Sequence, residues 1–245
     1  LIYPIDLYNF VSMLGFNVKH VDTGNSDAYT IINGGEKLIL LNKNINLKKR
    51  INFTLAHELG HYFIPHHLEP LYACSINEII STKNLSNLDI ENEADIFASE
   101  LLMPYKLFAG CNARTFDDIL NVSMTYNVSI QAAAIKLIEY TQDVVCFICC
   151  NDRKIKWYAA SENFKQYLTL KDIYRSPVPE LSLLDDCIKK DIFKYIRGKV
   201  PAFVWLENVE DEFINEEVLY YPEYNIGYIL IEAENMIDFE GELFL

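Results

Sequence analysis

Apolar residues recur through the first part of this chain with two different periods. Leu7, Phe10, Val11 and Leu14 fall at helical spacing and predict a helix over residues 3–15. Short strand-like runs follow at 16–21, 28–32 and 37–41, separated by Asp22-Thr23-Gly24-Asn25 and Asn33-Gly34-Gly35. Asn-Gly-Gly supplies residues that tolerate positive φ, so the last two runs should close a hairpin within a small antiparallel sheet. Helical spacing returns near Leu47. There Phe53, Leu55, Ala56, Leu59, Tyr62 and Phe63 are apolar and leave a polar stripe at His57, Glu58 and His61. A further helix is expected over 91–104, with Ala94, Phe97, Ala98, Leu101 and Leu102 on one face and Pro104 at its end. Residues 116–125 and 129–140 read as two short helices joined at Asn127-Val128-Ser129.

The periodicity changes at Thr141. Residues 144–150 and 155–159, joined by Asn151-Asp152-Arg153, predict a hairpin. Further strands are expected at 202–206, 218–221 and 226–232, with helical segments around 183–196. The fold class is therefore α+β. One domain is expected at 1–140, ending in the helical pair 116–140, and a second α+β domain at 141–245.

The polar stripe carries the chemistry. His57-Glu58-Leu59-Gly60-His61 has the form H-E-x-x-H. Residues four apart share a helix face, so the two imidazoles project together and can share one Zn²⁺. Glu58 between them can take a proton from water, which points to metal-assisted hydrolysis. Glycine weakens a helix interior, so Gly60 marks a close backbone approach.

Such a site needs a third protein ligand. Glu91 and Glu93 compete for the role. Glu91 shares a face with Asp95, four residues on, whereas Glu93 points about 200° away around the helix. Glu91 is chosen as ligand, Glu93 is kept as the alternative, and Asp95 is placed to orient a ligand histidine. His66 and His67 follow the metal helix directly; of the three readings open to them, extra ligands, a substrate-contacting pair or ordinary exposed histidines, the last is preferred. A donor for a developing oxyanion could come from Tyr62, His66, His67 or Tyr72, which spacing does not rank.

The segments Arg50-Ile51-Asn52-Phe53-Thr54-Leu55-Ala56-His57-Glu58-Leu59-Gly60-His61 and Glu91-Asn92-Glu93-Ala94-Asp95-Ile96-Phe97-Ala98-Ser99-Glu100-Leu101-Leu102-Met103-Pro104 resemble the ImmA/IrrE family of metallo-endopeptidases. The resemblance covers roughly residues 5–140 and implies a zincin-like catalytic domain. It implies zinc held by His57, His61 and Glu91, with Glu58 as general base. It also implies an intracellular enzyme that cuts a helix-turn-helix repressor, often encoded on a mobile element, and so relieves repression. The pair at 116–140 resembles the helix-turn-helix-like pair of many such proteins. A competing reading is a non-cleaving, antitoxin-like module that binds a repressor around a structural or relict zinc.

Composition narrows the partners. Of 245 residues, 21 are Lys or Arg and 35 are Asp or Glu, a net charge of −14. Residues 1–140 carry 15 acids against 10 bases, and 141–245 carry 20 against 11. So acidic a chain is repelled by phosphate backbones, and no direct nucleic-acid partner is expected. The second helix of the pair begins Ile130-Gln131-Ala132-Ala133-Ala134 and has Lys136 as its only base, which suits packing or docking better than DNA reading. The acid-rich run 207–217 reads as a solvated loop. No signal peptide or apolar run of membrane-spanning length is seen, and six scattered cysteines suit a reducing cytoplasm. The spacing of Cys146 and Cys149 is C-x-x-C, but with no second pair they are expected to be buried apolar residues. A start at Leu1 rather than Met suggests processing or trimming.

Overall fold

The structure is a computed structural model that describes residues 3–68, 76–209 and 211–236, without the side chains of 68 and 76–88. Tyr72 and Cys74 lie outside the described residues. The chain forms two compact units, one of residues 1–107 with 122–129, the other of 108–121 with 130–245.

The first unit opens with α1 (Leu7–Met13), shorter than the apolar spacing predicts. The Asp6 side chain accepts from the Asn9 N–H at 3.1 Å and caps the helix, so the residues before it do not join it. Strands β1 (Phe16–Val21), β2 (Ala28–Asn33) and β3 (Glu36–Asn42) form a sheet in the order β1-β3-β2. β2 and β3 pair antiparallel through the Asn33-Gly34-Gly35 turn, where both glycines have positive φ. β1 pairs parallel to β3, so the sheet is mixed rather than wholly antiparallel. The reason lies in β3. Its Leu38-Ile39-Leu40-Leu41 run is the most apolar of the three, and Ile39 and Leu41 have no exposed surface. It takes the central position, and the 22–27 connection carries β2 past it to the edge.

Helix α2 (Lys48–Phe63) carries the H-E-x-x-H residues and α3 (Ile76–Leu102) the acidic ones. Leu55, Ala56 and Leu59 of α2 and Ala94 and Ala98 of α3 are fully buried. Small residues at 56, 60, 94 and 98 let the two backbones come close.

Helix α4 (Phe116–Thr125) and α5 (Ile130–Tyr140) are the expected helical pair. Asn127, at φ 52°, makes the turn, and the Ser123 hydroxyl donates to the Val128 carbonyl at 2.8 Å. Lys136, the only base of α5, is buried.

The second unit is built on an antiparallel sheet in the order β5-β4-β8-β7-β6. Its strands are β4 (Val145–Asn151), β5 (Lys154–Ala160), β6 (Lys194–Pro201), β7 (Phe213–Tyr221) and β8 (Ile226–Glu232). α6 (Glu162–Tyr167) and α7 (Leu183–Lys190) belong to the same unit, as does α5. Residues 183–196 are helical only as far as Lys190. Asp191 adopts a left-handed conformation that ends α7, and the chain continues as the edge strand β6. Its residues alternate between half-buried and exposed, but only Val200 is buried, and one edge meets no other strand among the described residues. The expected strand at 202–206 is a 3₁₀ turn, Ala202–Val204.

The acid-rich run is not a solvated loop throughout. Glu216 and Glu217 lie in β7 at 0% and 4% exposure. Glu217 accepts from the Phe116 N–H at 2.8 Å, the Tyr195 hydroxyl at 2.9 Å and Arg197 Nε at 2.5 Å. Cys146, Cys149 and Cys150 are buried in β4, and burial pushes all three thiols up. Among the described residues no helix is long and apolar enough to cross a membrane.

Candidate metal centre

His57 and His61 stand one turn apart on α2 and bring their Nε2 atoms to 2.9 Å. Glu91 reaches them from α3, with Oε2 3.1 Å from His57 Nε2 and Oε1 3.6 Å from His61 Nε2. The three residues therefore offer donor atoms that converge on one point. Ligands about 2.0–2.2 Å from a tetrahedral ion lie roughly 3.3 Å from one another, so the spacing suits a single small cation.

The protons agree with that reading. His57 Nδ1 lies 2.8 Å from Asp95 Oδ1. A carboxylate only accepts, so Nδ1 donates to Asp95, and Nε2 is the atom that would serve an ion. His61 Nδ1 contacts His67 Nδ1 at 3.1 Å. Burial, then the neighbouring His57, holds His61 below the usual histidine range, which favours the neutral imidazole a metal requires. Two neutral rings and a carboxylate form a donor set that fits Zn²⁺.

Glu58 is buried beside this trio. The Thr30 hydroxyl of β2 donates to its Oε2 at 2.6 Å. Burial pushes the Glu58 carboxyl above the ordinary range, while the Thr30 hydrogen bond and His57 pull it back. A cleft of about 920 Å³ opens over these groups. Its walls include Tyr29, Thr30 and Ile32 of β2, Phe53 of α2, and Glu91 and Asp95 of α3.

Glu93 is not in this trio. Its Oε2 lies 2.6 Å from His66 Nε2 and 3.1 Å from His67 Nε2. Those contacts, the His67 hydrogen bond first, hold its carboxyl below the usual range. One of the two histidines also differs from expectation. His66 is exposed, but the His67 side chain has no exposed surface, because the 3₁₀ turn Pro65–Leu68 folds it back against His61. Tyr62 turns away: its hydroxyl accepts from Lys37 Nζ at 2.7 Å and does not line the cleft. Thr30, Tyr29 and the ion pair of Arg50 with Asp27, at 2.6 Å, are site neighbours that no local pattern announces. The H-E-x-x-H pattern and the helical period of α2 and α3 announce the rest of the site in the sequence.

Gly60 explains how α3 comes so near. A Cβ placed there would meet the Ala94 Cα at 3.0 Å and its carbonyl oxygen at 3.1 Å. Both are backbone atoms, so the helices would have to part. Gly60→Ala should gain about 1 kcal/mol of helix propensity and lose about 1–3 kcal/mol to overpacking. The expected net result is a lower melting temperature together with weaker zinc binding, since Glu91 and Asp95 ride on the displaced helix. A melt and a chelator competition would check both.

Comparison with known proteins places the chain among metallopeptidases. The chain is 33% identical over 70 residues to metallopeptidase ImmA of Bacillus subtilis (strain 168), a match over 29% of this chain and 36% of that protein's length. In fold it is similar to a Mycobacterium tuberculosis transcriptional regulator, with a TM-score of 0.56 at 13% identity over 95% of this chain and 81% of the other. The family model of the IrrE N-terminal-like domain, Peptidase_M78, matches residues 13–137, just over half the chain. The chain therefore belongs to this metallopeptidase family.

Proposed function

We propose that this chain is a zinc endopeptidase that cuts a helix-turn-helix repressor in the cytoplasm and so relieves repression. The observation that carries the reading is the convergence of His57, His61 and Glu91 next to a buried carboxylate at the floor of an open cleft. Those three residues would hold the zinc, which supplies Lewis acidity toward water and toward the scissile carbonyl. Glu58 accepts the proton of the attacking water and delivers it to the leaving amine. Thr30 fixes the Glu58 carboxyl through its hydroxyl, and Asp95 fixes the His57 ring. Glu93 is set aside as a ligand of this centre, since its oxygens serve His66 and His67.

The cleft suits a protein substrate in extended form. β2 is the edge of its sheet among the described residues, and Tyr29, Thr30 and Ile32 line the cleft. An extended segment can pair with such an edge and present its carbonyls to the site. The repressor as substrate rests on the family resemblance, and a reducing cytoplasm agrees with the free cysteines at 111, 146, 149, 150 and 187.

The test is incubation of the zinc-loaded protein with a purified helix-turn-helix repressor encoded beside it, read by mass spectrometry. Defined fragments should appear, disappear with a chelator and return with added Zn²⁺. A stable complex that yields no fragment at full zinc occupancy would favour the non-cleaving module instead.

A further inference from the structure

The proposed mechanism leaves one cluster of metal-binding side chains unused. His66 and His67 lie on the 3₁₀ turn after α2, and Glu93 lies on α3. Both Nε2 atoms approach the same oxygen, Glu93 Oε2, at 2.6 and 3.1 Å. One donor atom from each residue falls within 4.8 Å of the others. Two imidazoles and a carboxylate repeat the donor set of the first trio with different residues.

We propose that His66, His67 and Glu93 form a second divalent-cation site, next to the first and for the same imidazole-preferring class of ion, such as Zn²⁺. An isolated surface ion pair would need only His66 and Glu93. Here the third donor is a ring with no exposed surface, held at Nδ1 by His61 and aimed through Nε2 at the carboxylate. A ring fixed in that way loses little rotamer freedom when it binds an ion. The side chains of His66 and Glu93 are 56% and 44% exposed and give the ion a path from solvent.

Packing ranks the two sites. The rings of the first are part-buried, at 17% and 21% exposure, and Asp95 holds the His57 ring. In the second the His66 side chain is 56% exposed and must be ordered by the ion. The second site therefore fills after the first and binds more weakly. Only this ranking rests on the proposed zinc site; the trio itself does not.

Titration of Zn²⁺ into the metal-free full chain, followed by calorimetry and native mass spectrometry, tests the proposal. Two ions should bind, the second about ten- to a hundredfold more weakly, the size of effect that a disturbed outer-shell partner has on metal affinity. The double variant H66A/E93A should lose the weaker event and keep the tighter one. Both residues are half-exposed, so the fold should survive, which a circular dichroism melt would verify. Glu91→Ala should do the reverse and remove the tighter event. One bound ion at saturation in the unaltered chain, removed by Glu91→Ala, would overturn the second site and leave the proposed catalytic zinc standing. A second ion that persists in H66A/E93A would also overturn it. One ion removed by H66A/E93A but not by Glu91→Ala would uphold this site and sink the catalytic assignment.

Discussion

Glu58→Gln should keep its zinc and lose hydrolysis. The amide has nearly the shape of the carboxylate, so the Thr30 hydroxyl can still donate to its oxygen as it does to Glu58 Oε2. None of the proposed ligand atoms changes. The amide has no basic lone pair, however, and cannot take a proton from water. General acid–base catalysis contributes typically 10²- to 10⁴-fold, and kcat/KM on the repressor should fall by about that factor. Zinc content by mass spectrometry should match the unaltered protein. Cleavage at the original rate would show that Glu58 is not the base. The sign of the pH dependence follows from the site. Burial holds the Glu58 carboxyl above the ordinary range, and a base works only when ionised. The rate should therefore fall as pH drops far enough to protonate Glu58. The residual activity of the glutamine variant should lack that acid limb.

The parts of this site that are local in the chain were legible from the residues. His57 and His61 share a face because they are four apart, and so do Glu91 and Asp95. The helical period also separated Glu91 from Glu93, and the structure gives the two carboxylates different histidine partners. What was illegible depends on contacts between distant segments. Thr30 stands 28 residues from Glu58 and belongs to a strand, so nothing local links the two. His67 looked exposed because it follows the helix in a polar run, yet a 3₁₀ turn buries it. The small sheet was misjudged in one respect. Turn residues fix which strands form a hairpin, but the place of β1 was decided by β3, whose apolar run takes the centre. In the second unit the hairpin of β4 and β5 was clear from alternation and its turn, whereas β6, at the sheet edge, has too few buried positions to declare itself.

The same limit hid Glu216, whose replacement should cost the second unit much of its stability. The residue lies in a run of acids, and charge alone suggested a solvated loop. In the structure it has no exposed surface and accepts three hydrogen bonds. They come from the Ser182 hydroxyl at 2.7 Å, the Leu183 N–H at 2.9 Å and Trp205 Nε1 at 2.8 Å. The carboxylate thus ties the start of α7 and the Trp205 ring to β7. Glu216→Ala would leave those donors without an acceptor, at about 1–3 kcal/mol for each unsatisfied group, and open a cavity. A loss of about 3–5 kcal/mol is expected, a large part of a domain's usual 5–15 kcal/mol. Urea denaturation followed by Trp205 fluorescence should show the lower midpoint. Glu216→Gln then tests the electrostatics. Burial pushes the Glu216 carboxyl above the usual range, and the Ser182, Trp205 and Leu183 hydrogen bonds pull it back. A group whose pKa is raised on folding contributes stability below its unfolded value, and that contribution is lost as pH rises through the folded one. The advantage of the unaltered protein over the glutamine variant should therefore be larger in acid and shrink toward neutral pH. An advantage that grows with pH would mean that the three donors outweigh desolvation and that the carboxylate is held ionised in the folded protein.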